Sequence, residues 1–285
     1  MRLAFAGLGT MGFPMAGHLA GAGHDVTVYN RSPAKAARWV EAHGGRAAAS
    51  VAEAARGAEV FLLCVGDDGD VRQVVGEALD VLPADAVIVD HTTTSASVAR
   101  ELAERASAGG RAFVDAPVSG GQAGAENGQL TIMCGAEPAT FERVRPVLEP
   151  YAKAVRLMGP AGSGQLTKMV NQICIAGLVQ GLAEALHFAK RAGLDPGLVY
   201  EAVSKGAAQS WQMDNRWKTM SEGQFDFGFA VDWMRKDLGL VLDEAARNGA
   251  KLDVTRLVDG FYAEVQAMGG RRWDTSSLVA RLERP

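Results

Sequence analysis

The segment LAFAGLGTMG, residues 3–12, joins a short apolar run to the pattern G-x-G-x-x-G. An apolar run that ends in this pattern and continues into a helical segment is typical of a dinucleotide-binding βαβ unit. The first glycine permits a tight turn, the second lets the backbone approach a pyrophosphate, and the third lets helix and strand pack closely. The helix N-terminus adds amide donors, so an anion site is predicted rather than an ordinary glycine-rich turn. The residues assigned to it are Gly7, Leu8, Gly9, Thr10, Met11 and Gly12.

Apolar runs alternate with helical periodicity through the rest of the first half. Strands are predicted at residues 3–6, 26–29, 60–64, 86–90, 112–115, 130–134 and 154–157. Helices are predicted at residues 11–22, 34–42, 71–79, 97–108 and 138–148, where apolar residues recur every three or four positions. This alternation predicts an α/β fold of the Rossmann type, a doubly wound parallel sheet with helices on both faces.

A glycine cluster at residues 159–164 ends the alternation of strands and helices. Residues 164–192 then predict one helix about 40 Å long. Further helices are predicted at residues 196–203, 230–248 and 254–268. With 285 residues, two domains are expected. We predict a Rossmann domain at 1–161 and an all-α C-terminal domain at 162–285, joined by a long interdomain helix.

Composition and charge exclude several classes of protein. Apolar residues make up 48% and charged residues 22% of the chain, as in ordinary globular proteins. A net charge of -4 provides no broad positive field, so nucleic acid is not an expected partner. The uncharged run 169–183 is too short to span a bilayer, so no membrane segment is expected. The three cysteines and five histidines show no metal-ligand spacing, which predicts no metal site and a reducing, cytoplasmic location.

The residues after the second predicted strand bear on cofactor choice. An NAD site usually has an acid here to hold the ribose 2′-hydroxyl, but the sequence is Tyr29-Asn30-Arg31-Ser32. Arg31 can pair with a 2′-phosphate, and Asn30 and Ser32 can donate hydrogen bonds to it. We therefore predict NADP as the preferred cofactor; the alternative is a solvated Arg31 and use of either NADP or NAD. Cys64 and Val65, at the end of the third predicted strand, are also assigned to the cofactor site.

Four motifs in order resemble those of the β-hydroxyacid dehydrogenases, which include 3-hydroxyisobutyrate dehydrogenase and tartronate semialdehyde reductase. The motifs are residues 7–16, residues 115–121, Gly162-Ser163-Gly164 leading to Lys168 and Asn171, and Lys236-Asp237-Leu238. The resemblance covers nearly the whole chain. It implies hydride transfer between the cofactor and a small, carboxylate-bearing β-hydroxyacid or semialdehyde. It also implies an active site in the cleft between two domains and a homodimer or homotetramer.

Lys168 is the predicted proton-transfer residue. Hydride transfer from a hydroxyl-bearing carbon requires a base for the hydroxyl proton, and burial makes a lysine a better base. The resemblance implies that Lys168 is the family's catalytic lysine; the alternative is a surface lysine on a helix. Asn171, three residues later on the same helix face, is expected to bind the substrate oxygen or to orient the lysine.

Other residues are assigned to the substrate or the cofactor. Consecutive glycines expose backbone amides, so Ser119, Gly120 and Gly121 are expected to bind the substrate carboxylate; the alternative is a flexible loop. The resemblance implies a cofactor contact for Thr93, with its neighbours Thr92 and Thr94 as the alternatives if the register is off by one. It implies another for Lys236, although a Lys-Asp pair on a helix is often only solvated. It also implies that Trp211, within the segment 209–220, faces the substrate; core packing is the alternative for Trp211 and Trp217.

Two other functions compete with the dehydrogenase prediction. One is an imine reductase, a related group that commonly has another residue at the lysine position. The other is a catalytically silent NADP-binding module, which would be expected to have lost the lysine. The presence of Lys168 disfavours both alternatives. The hydroxyacid itself stays open, because one methylene in a substrate changes binding by only about 1–3 kcal/mol.

Overall fold

The computed structural model describes residues 1–283. These residues form two compact units, residues 1–168 (unit 1) and residues 169 onward (unit 2). Unit 1 is a Rossmann domain, and unit 2 is helical. The division at 168/169 lies a little after the predicted domain boundary at 161/162, and the boundary of an independently folding domain stays a prediction.

Unit 1 contains one nine-stranded sheet. Its strands are β1 Arg2–Ala6, β2 Asp25–Tyr29, β3 Arg46–Ala47, β4 Val60–Leu63, β5 Val87–Asp90, β6 Ala112–Asp115, β7 Val118–Ser119, β8 Leu130–Gly135 and β9 Ala152–Gly159. The order is β3-β2-β1-β4-β5-β6-β8-β7, with β9 also paired to β8. The first six strands pair in parallel, whereas β8 runs antiparallel to β6 and β7 and parallel to β9. The doubly wound, mainly parallel sheet is as predicted.

The helices of unit 1 are α1 Gly12–Gly21, α2 Pro33–His43, α3 Val51–Ala55, α4 Asp68–Leu79, α5 Ala96–Ala108, α6 Gly121–Glu126 and α7 Pro138–Leu148. Helix α8, Ser163–Arg191, begins in unit 1 and continues into unit 2. Unit 2 adds α9 Pro196–Val203, α10 Trp211–Ser221, α11 Val231–Asn248, α12 Asp253–Ala267 and α13 Leu278–Leu282. The predicted strands and helices agree with these bounds to within three residues at each end.

The sheet of unit 1 is buried on both faces. Alternation along β1 places Leu3 and Phe5 in one apolar layer and Ala4 and Ala6 in the other. A strand covered on both faces is a continuous apolar run, which is why these strands can be recognised in the sequence. Unit 2 has a separate helical core, to which α8 contributes Ala176, Val179 and Leu186.

Helix α8 is unusually apolar, and part of its surface is buried in the core of unit 2. Of the described helices, only α8 is long and apolar enough to cross a membrane, judged by length and composition. Core helices of folded proteins pass the same test, and 44% of the most apolar window of α8 is buried. The helical core of unit 2 therefore accounts for the buried apolar residues of α8.

Candidate active site

Two glycines with no room for a side chain shape the turn between β1 and α1. Gly7 has a φ of +96°, and a Cβ there would contact the carbonyl oxygen of Cys64. A Cβ on Gly12 would contact the carbonyl oxygen of Gly7. A Cβ on Gly9, by contrast, would meet no atom of the described chain within 4 Å. A ligand can therefore approach the backbone closely at Gly9.

The start of α1 offers amide donors beside that open space. Among the described residues, no side chain caps α1, whose N-cap position is Met11. The first amides of a helix lack intrahelical partners, and the helix dipole adds a partial positive charge there. These features fit the pyrophosphate of a dinucleotide, with Thr10 and Met11 at the helix start.

Asn30, directly after β2, holds the glycine-rich turn in place. Its Oδ1 accepts a hydrogen bond from the Leu8 amide at 2.9 Å, and its Nδ2 donates to the Ser32 carbonyl at 3.2 Å. The Gly7 amide donates to the Tyr29 carbonyl at 2.9 Å. The Asn30 side chain thus supports the turn, and its expected contact with a 2′-phosphate stays a prediction. Ser32 is exposed at the start of α2.

Arg31 lies beside an acid that is distant from it in the sequence. Its Nη1 is 3.2 Å from Oδ1 of Asp70, 39 residues further along the chain. The other carboxylate oxygen of Asp70 accepts a hydrogen bond from the Gly66 amide at 3.2 Å. The segment 29–32 itself has no acid, but the fold brings one to Arg31 from α4. The Arg31 side chain is 80% exposed, so the pair is screened by solvent and a 2′-phosphate can compete with Asp70 for it.

The turn formed by Thr92, Thr93 and Thr94 is anchored on both sides. The Thr92 Oγ1 accepts a hydrogen bond from the Val65 amide at 3.0 Å. Gln165, in the first turn of α8, accepts from the Thr94 amide at 3.0 Å and donates to the Thr92 carbonyl at 2.8 Å. Thr92 and Thr94 are buried, whereas Thr93 is half-buried. Thr93 is therefore the most accessible of the three threonines.

Asp115, the last residue of β6, caps the start of α8. Its two carboxylate oxygens accept hydrogen bonds from the amides of Gly162 at 2.7 Å and Gln165 at 2.9 Å. Burial raises the pKa of Asp115 to about 6, against the opposite effect of the amide hydrogen bonds. A Cβ on Gly164 would contact the carbonyl oxygens of Met133 and Asp115. The first turn of α8 is therefore fixed against the sheet.

Lys168 lies in the next turn of α8. It is buried, with 8% of its surface exposed. Lysine is almost never buried unless it has a partner, so the alternative of a solvated surface lysine is wrong. The fixed first turn of α8 gives this buried amine a defined position.

Asn171 begins a chain of polar side chains within unit 2. Its Nδ2 donates to Oε1 of Gln172 at 2.8 Å, and Nε2 of Gln172 donates to Oδ2 of Asp237 at 2.7 Å. Nζ of Lys236 lies 3.4 Å from Oδ1 of Asp237. Gln172 and Asp237 are each only 2% exposed. The Lys236-Asp237 pair is therefore part of a buried network and not merely a solvated pair.

Residues Ser119, Gly120 and Gly121 form an ordered turn between β7 and α6. Ser119 pairs with Thr131 of β8. Gly120 and Gly121 have φ values of +135° and +62°, which disfavour any residue with a side chain. A Cβ on Gly121 would meet no atom of the described chain within 4 Å. The turn therefore exposes backbone to a ligand.

The two tryptophans of α10 differ in burial. Trp217 is buried, with 4% exposed, and its Nε1 donates to the Pro196 carbonyl at 2.8 Å. Trp211, the first residue of α10, is 56% exposed and stacks against the guanidinium of Arg216, 5.0 Å from the ring centre. Core packing therefore accounts for Trp217 and does not account for Trp211.

Comparison with known proteins places both units in one family. The family model of the NAD binding domain of 6-phosphogluconate dehydrogenase matches residues 2–159. The model of the NAD-binding domain of NADP-dependent 3-hydroxyisobutyrate dehydrogenase matches residues 162–282. An uncharacterized oxidoreductase of Shewanella frigidimarina is 64% identical over 99% of this chain and 98% of its own. The chain belongs to the β-hydroxyacid dehydrogenase family.

Two further relatives of this β-hydroxyacid dehydrogenase carry functional names. The 2-hydroxy-3-oxopropionate reductase of Escherichia coli is 34% identical over 99% of this chain and 97% of its own. A solved structure of Mycobacterium tuberculosis 3-hydroxyisobutyrate dehydrogenase with L-serine is 32% identical, with a TM-score of 0.92 over 99% of both chains. The protein is therefore an NAD(P)-dependent oxidoreductase acting on CH–OH groups.

Two histidines of this dehydrogenase, His91 and His18, make hydrogen bonds that link parts of unit 1. His91 is buried, with Nδ1 2.7 Å from the Ala116 carbonyl and Nε2 2.9 Å from the Tyr151 hydroxyl. His18 bonds to the Ala125 carbonyl at 2.9 Å. Within residues 1–283, no group of three or more His, Cys, Asp or Glu side chains is arranged to hold a metal ion.

Sequence reasoning missed three residues that organise the dehydrogenase site: Asp70, Gln165 and the capping role of Asp115. Asp115 and Gln165 are 50 residues apart, so no local pattern links them. One signal was present for Asp115, since it is an acid at the end of a buried strand. Gln165 also had a signal, since it is a polar residue in the first turn of a long helix. For Asp70 no such signal existed.

Proposed function

We propose that this β-hydroxyacid dehydrogenase interconverts a small β-hydroxyacid and its semialdehyde, prefers NADP(H), and uses Lys168 as general acid and base. The observation that carries the proposal is the burial of Lys168 in the turn of α8 that follows the Asp115 cap. The names of the E. coli and M. tuberculosis relatives support small hydroxyacids or semialdehydes as the substrate class.

The nicotinamide cofactor supplies the acceptor or donor of the hydride. The open backbone at Gly9 and the amides at the start of α1 are proposed to hold its pyrophosphate. Val65, Cys64 and Thr93, near the ends of β4 and β5, are proposed to line the same site. Lys236, 5.7 Å from the Trp233 ring centre, is proposed as a further cofactor contact.

Lys168 is proposed to move one proton. In the oxidative direction its neutral Nζ accepts the proton of the substrate hydroxyl as the hydride leaves the carbon. In the reductive direction its ammonium returns that proton to the carbonyl oxygen. The Ser119 hydroxyl and the amides of Gly120 and Gly121 are proposed to hold the substrate carboxylate, and Trp211 to limit the size of the substrate.

The preference for NADP(H) is proposed on the basis of Arg31. Its guanidinium is exposed and charged at any physiological pH, and its planar donors match a phosphate. Asp70 already accepts two of these hydrogen bonds. We therefore propose a preference for NADP(H) that Asp70 weakens, with NAD(H) still accepted.

We propose that the protein forms a homodimer or homotetramer, because α8 carries exposed apolar residues. Val170, Leu178 and Phe188 are 60%, 45% and 70% exposed, and the exposed Cys174 lies between the first two. An apolar stripe of this kind is typical of a protein-protein contact. Sedimentation equilibrium tests this proposal, and a monomer at micromolar concentration would contradict it.

The function is tested with the purified full chain. NADPH and NADH oxidation are followed with malonate, methylmalonate, tartronate and succinate semialdehydes, and the reverse reaction with 3-hydroxypropionate, 3-hydroxyisobutyrate, glycerate and serine. Turnover of at least one of these, faster with NADPH, is expected. Tight NADPH binding without turnover of any of them, or turnover of cyclic imines alone, would overturn the proposal.

A further inference from the structure

Helix α12 has one face in the core of unit 2 and leaves the opposite face uncovered. Val258, Tyr262 and Val265 belong to the helical core. At 100° per residue, Gly260 points directly away from these three side chains. The exposed residues around it are Asp253, Arg256, Leu257 and Glu264. Leu257 is 57% exposed, so this face joins an uncovered apolar side chain to charged ones.

Gly260 makes a notch in the middle of the exposed face. A Cβ there would meet no atom of the described chain within 4 Å, so the chain itself does not require a glycine at this position. Glycine also stabilises a helix interior less than alanine does. A shallow hollow lies along the helix here, lined by Asp253, Arg256, Leu257, Gly260, Phe261 and Glu264. A second helix can therefore approach α12 most closely at Gly260, since the distance between packed helices depends on the side chains at the crossing.

Charges of opposite sign lie about one helical turn on either side of the notch. Arg256 comes four residues before Gly260, and Glu264 comes four residues after it. The Glu264 side chain is 56% exposed, and its Oε2 lies 3.5 Å from Nη1 of Arg281. An ionised carboxylate accepts several hydrogen bonds, so Glu264 can accept from a second guanidinium while Arg281 holds it in place.

This face is complementary to a second copy of itself turned end for end. Where two α12 helices cross antiparallel at Gly260, a residue before the crossing in one copy faces the residue equally far after it in the other. Arg256 of each copy then faces Glu264 of the other, which gives two ion pairs of opposite charge. Leu257 faces Ala263, a side chain small enough to leave room for it.

The charges also select the register of this crossing. A crossing centred between residues 258 and 259 would place Asp253 of one copy opposite Glu264 of the other, so two acids would repel. A crossing at Gly260 places Asp253 opposite Ala267 instead. Rows of residues four apart, such as 256, 260 and 264, align between two helices that cross at about 50°, the commonest class of helix packing.

We propose that α12 packs against α12 of a second copy of this chain, antiparallel and crossing at Gly260, with Arg256 of each copy paired to Glu264 of the other. The contact is isologous, so one two-fold axis generates both ion pairs. It is separate from the contact proposed for α8, and it does not rest on the proposed reaction.

Charge reversal tests the contact without changing the core of unit 2. Arg256→Glu places two acids opposite each other at both ends of the crossing, and Glu264→Arg places two bases there. Like charges across a contact are strongly unfavourable, so each variant alone is expected to associate through α12 at least about a hundredfold more weakly. Sedimentation velocity of the full chain at micromolar concentration measures the mass, which is expected to be half that of the wild type.

An equimolar mixture of the two variants provides the decisive comparison. In mixed assemblies the two acids of one variant face the two bases of the other, so the mass of the wild type is expected to return. Glu264→Arg also removes the pair with Arg281 inside one chain. That loss is common to the variant alone and to the mixture, so it cannot produce the recovery.

Two further variants separate assembly from folding. Gly260→Leu fills the notch in a place where the described chain leaves room, so it is expected to keep the Tm of the wild type and to lower the mass. Arg247→Glu is the matched control, because it reverses another exposed arginine of unit 2, 3.2 Å from Glu244 on the same helix. Its mass is expected to equal that of the wild type.

A monomeric wild type, a mass unchanged by Arg256→Glu, or variants that stay apart when mixed would overturn the inference. A face that binds a different protein would give these same results. Turnover of substrate enters none of the measurements, so its absence would count against the proposed function and not against the α12 contact.

Discussion

The carboxylate of Asp115 accepts a hydrogen bond from the backbone amide of Gln165, with 2.9 Å between Oδ2 and N. Its other oxygen accepts from the Gly162 amide at 2.7 Å. These bonds satisfy amides that a helix start leaves without intrahelical partners, and they place an acid at the positive end of the α8 dipole. The end of β6 therefore sets the position of the helical turn that precedes Lys168.

Asp115 should make the free energy of unfolding depend on pH. Burial raises its pKa from 3.8 to about 6, so the folded state holds the proton more tightly than the unfolded state. Its contribution to the free energy of unfolding is therefore present below pH 3.8 and falls as the pH rises through about 6. The fall corresponds to about 3 kcal/mol.

Asp115→Asn removes this titration, and urea unfolding of both proteins from pH 4 to 7 measures it. The stability of the wild type relative to the variant should decline across this range. A difference that stays constant or increases with pH would contradict the account of Asp115.

His91 should affect the pH dependence of stability in the direction opposite to Asp115. Burial lowers its pKa from 6.5 to about 4. Its contribution is therefore present above pH 6.5 and is lost as the pH falls through about 4, by about 3 kcal/mol in total. The wild type should lose stability relative to His91→Gln on acidification, as measured in the same unfolding series. His43→Gln, at a more exposed histidine, serves as the control, and equal pH profiles for the two variants would disprove the prediction.

Gly9 and Gly12 should respond differently to the same substitution. Gly9→Ala adds a methyl group where the described chain has no atom within 4 Å, so the fold is retained and the cofactor is blocked. Gly12→Ala places the methyl group on the Gly7 carbonyl oxygen, so the turn itself is disrupted.

Thermal unfolding and NADPH fluorescence distinguish the two outcomes. Gly9→Ala is expected to keep the Tm of the wild type and to weaken NADPH binding at least about tenfold. Gly12→Ala is expected to lower the Tm. Undiminished NADPH binding by Gly9→Ala would place the pyrophosphate elsewhere.

Asp70 should limit the preference for NADPH. Asp70→Asn removes a negative charge beside Arg31, so NADPH affinity is expected to rise about two- to fivefold while NADH affinity stays nearly constant. Fluorescence titration with both cofactors measures the ratio. Glu101→Gln is the matched control, because it breaks another exposed ion pair of unit 1, to Arg72 at 2.8 Å. A fall in NADPH affinity would mean that Asp70 holds Arg31 in place for the phosphate.

The elements of this fold were predictable to the extent that their signals are local. Buried strands such as β4 are continuous apolar runs, and the glycine-rich turn has its own short pattern. Helix α10 was missed because most of its residues are polar, although Ser210 offered a local signal: its hydroxyl accepts a hydrogen bond from the Met213 amide at 3.1 Å. The Asp70-Arg31 contact depends on how β2 and α4 meet, which no short pattern records.

The central claim, that Lys168 transfers the proton, is tested most directly by single-turnover hydride transfer in wild type and Lys168→Ala. The variant is predicted to bind NADPH as tightly as the wild type and to transfer hydride about 10²- to 10⁴-fold more slowly. Added methylamine is predicted to restore part of the rate, because a free amine can take the place of Nζ. A folded Lys168→Ala protein whose hydride-transfer rate stays within about fivefold of the wild-type rate would contradict the claim.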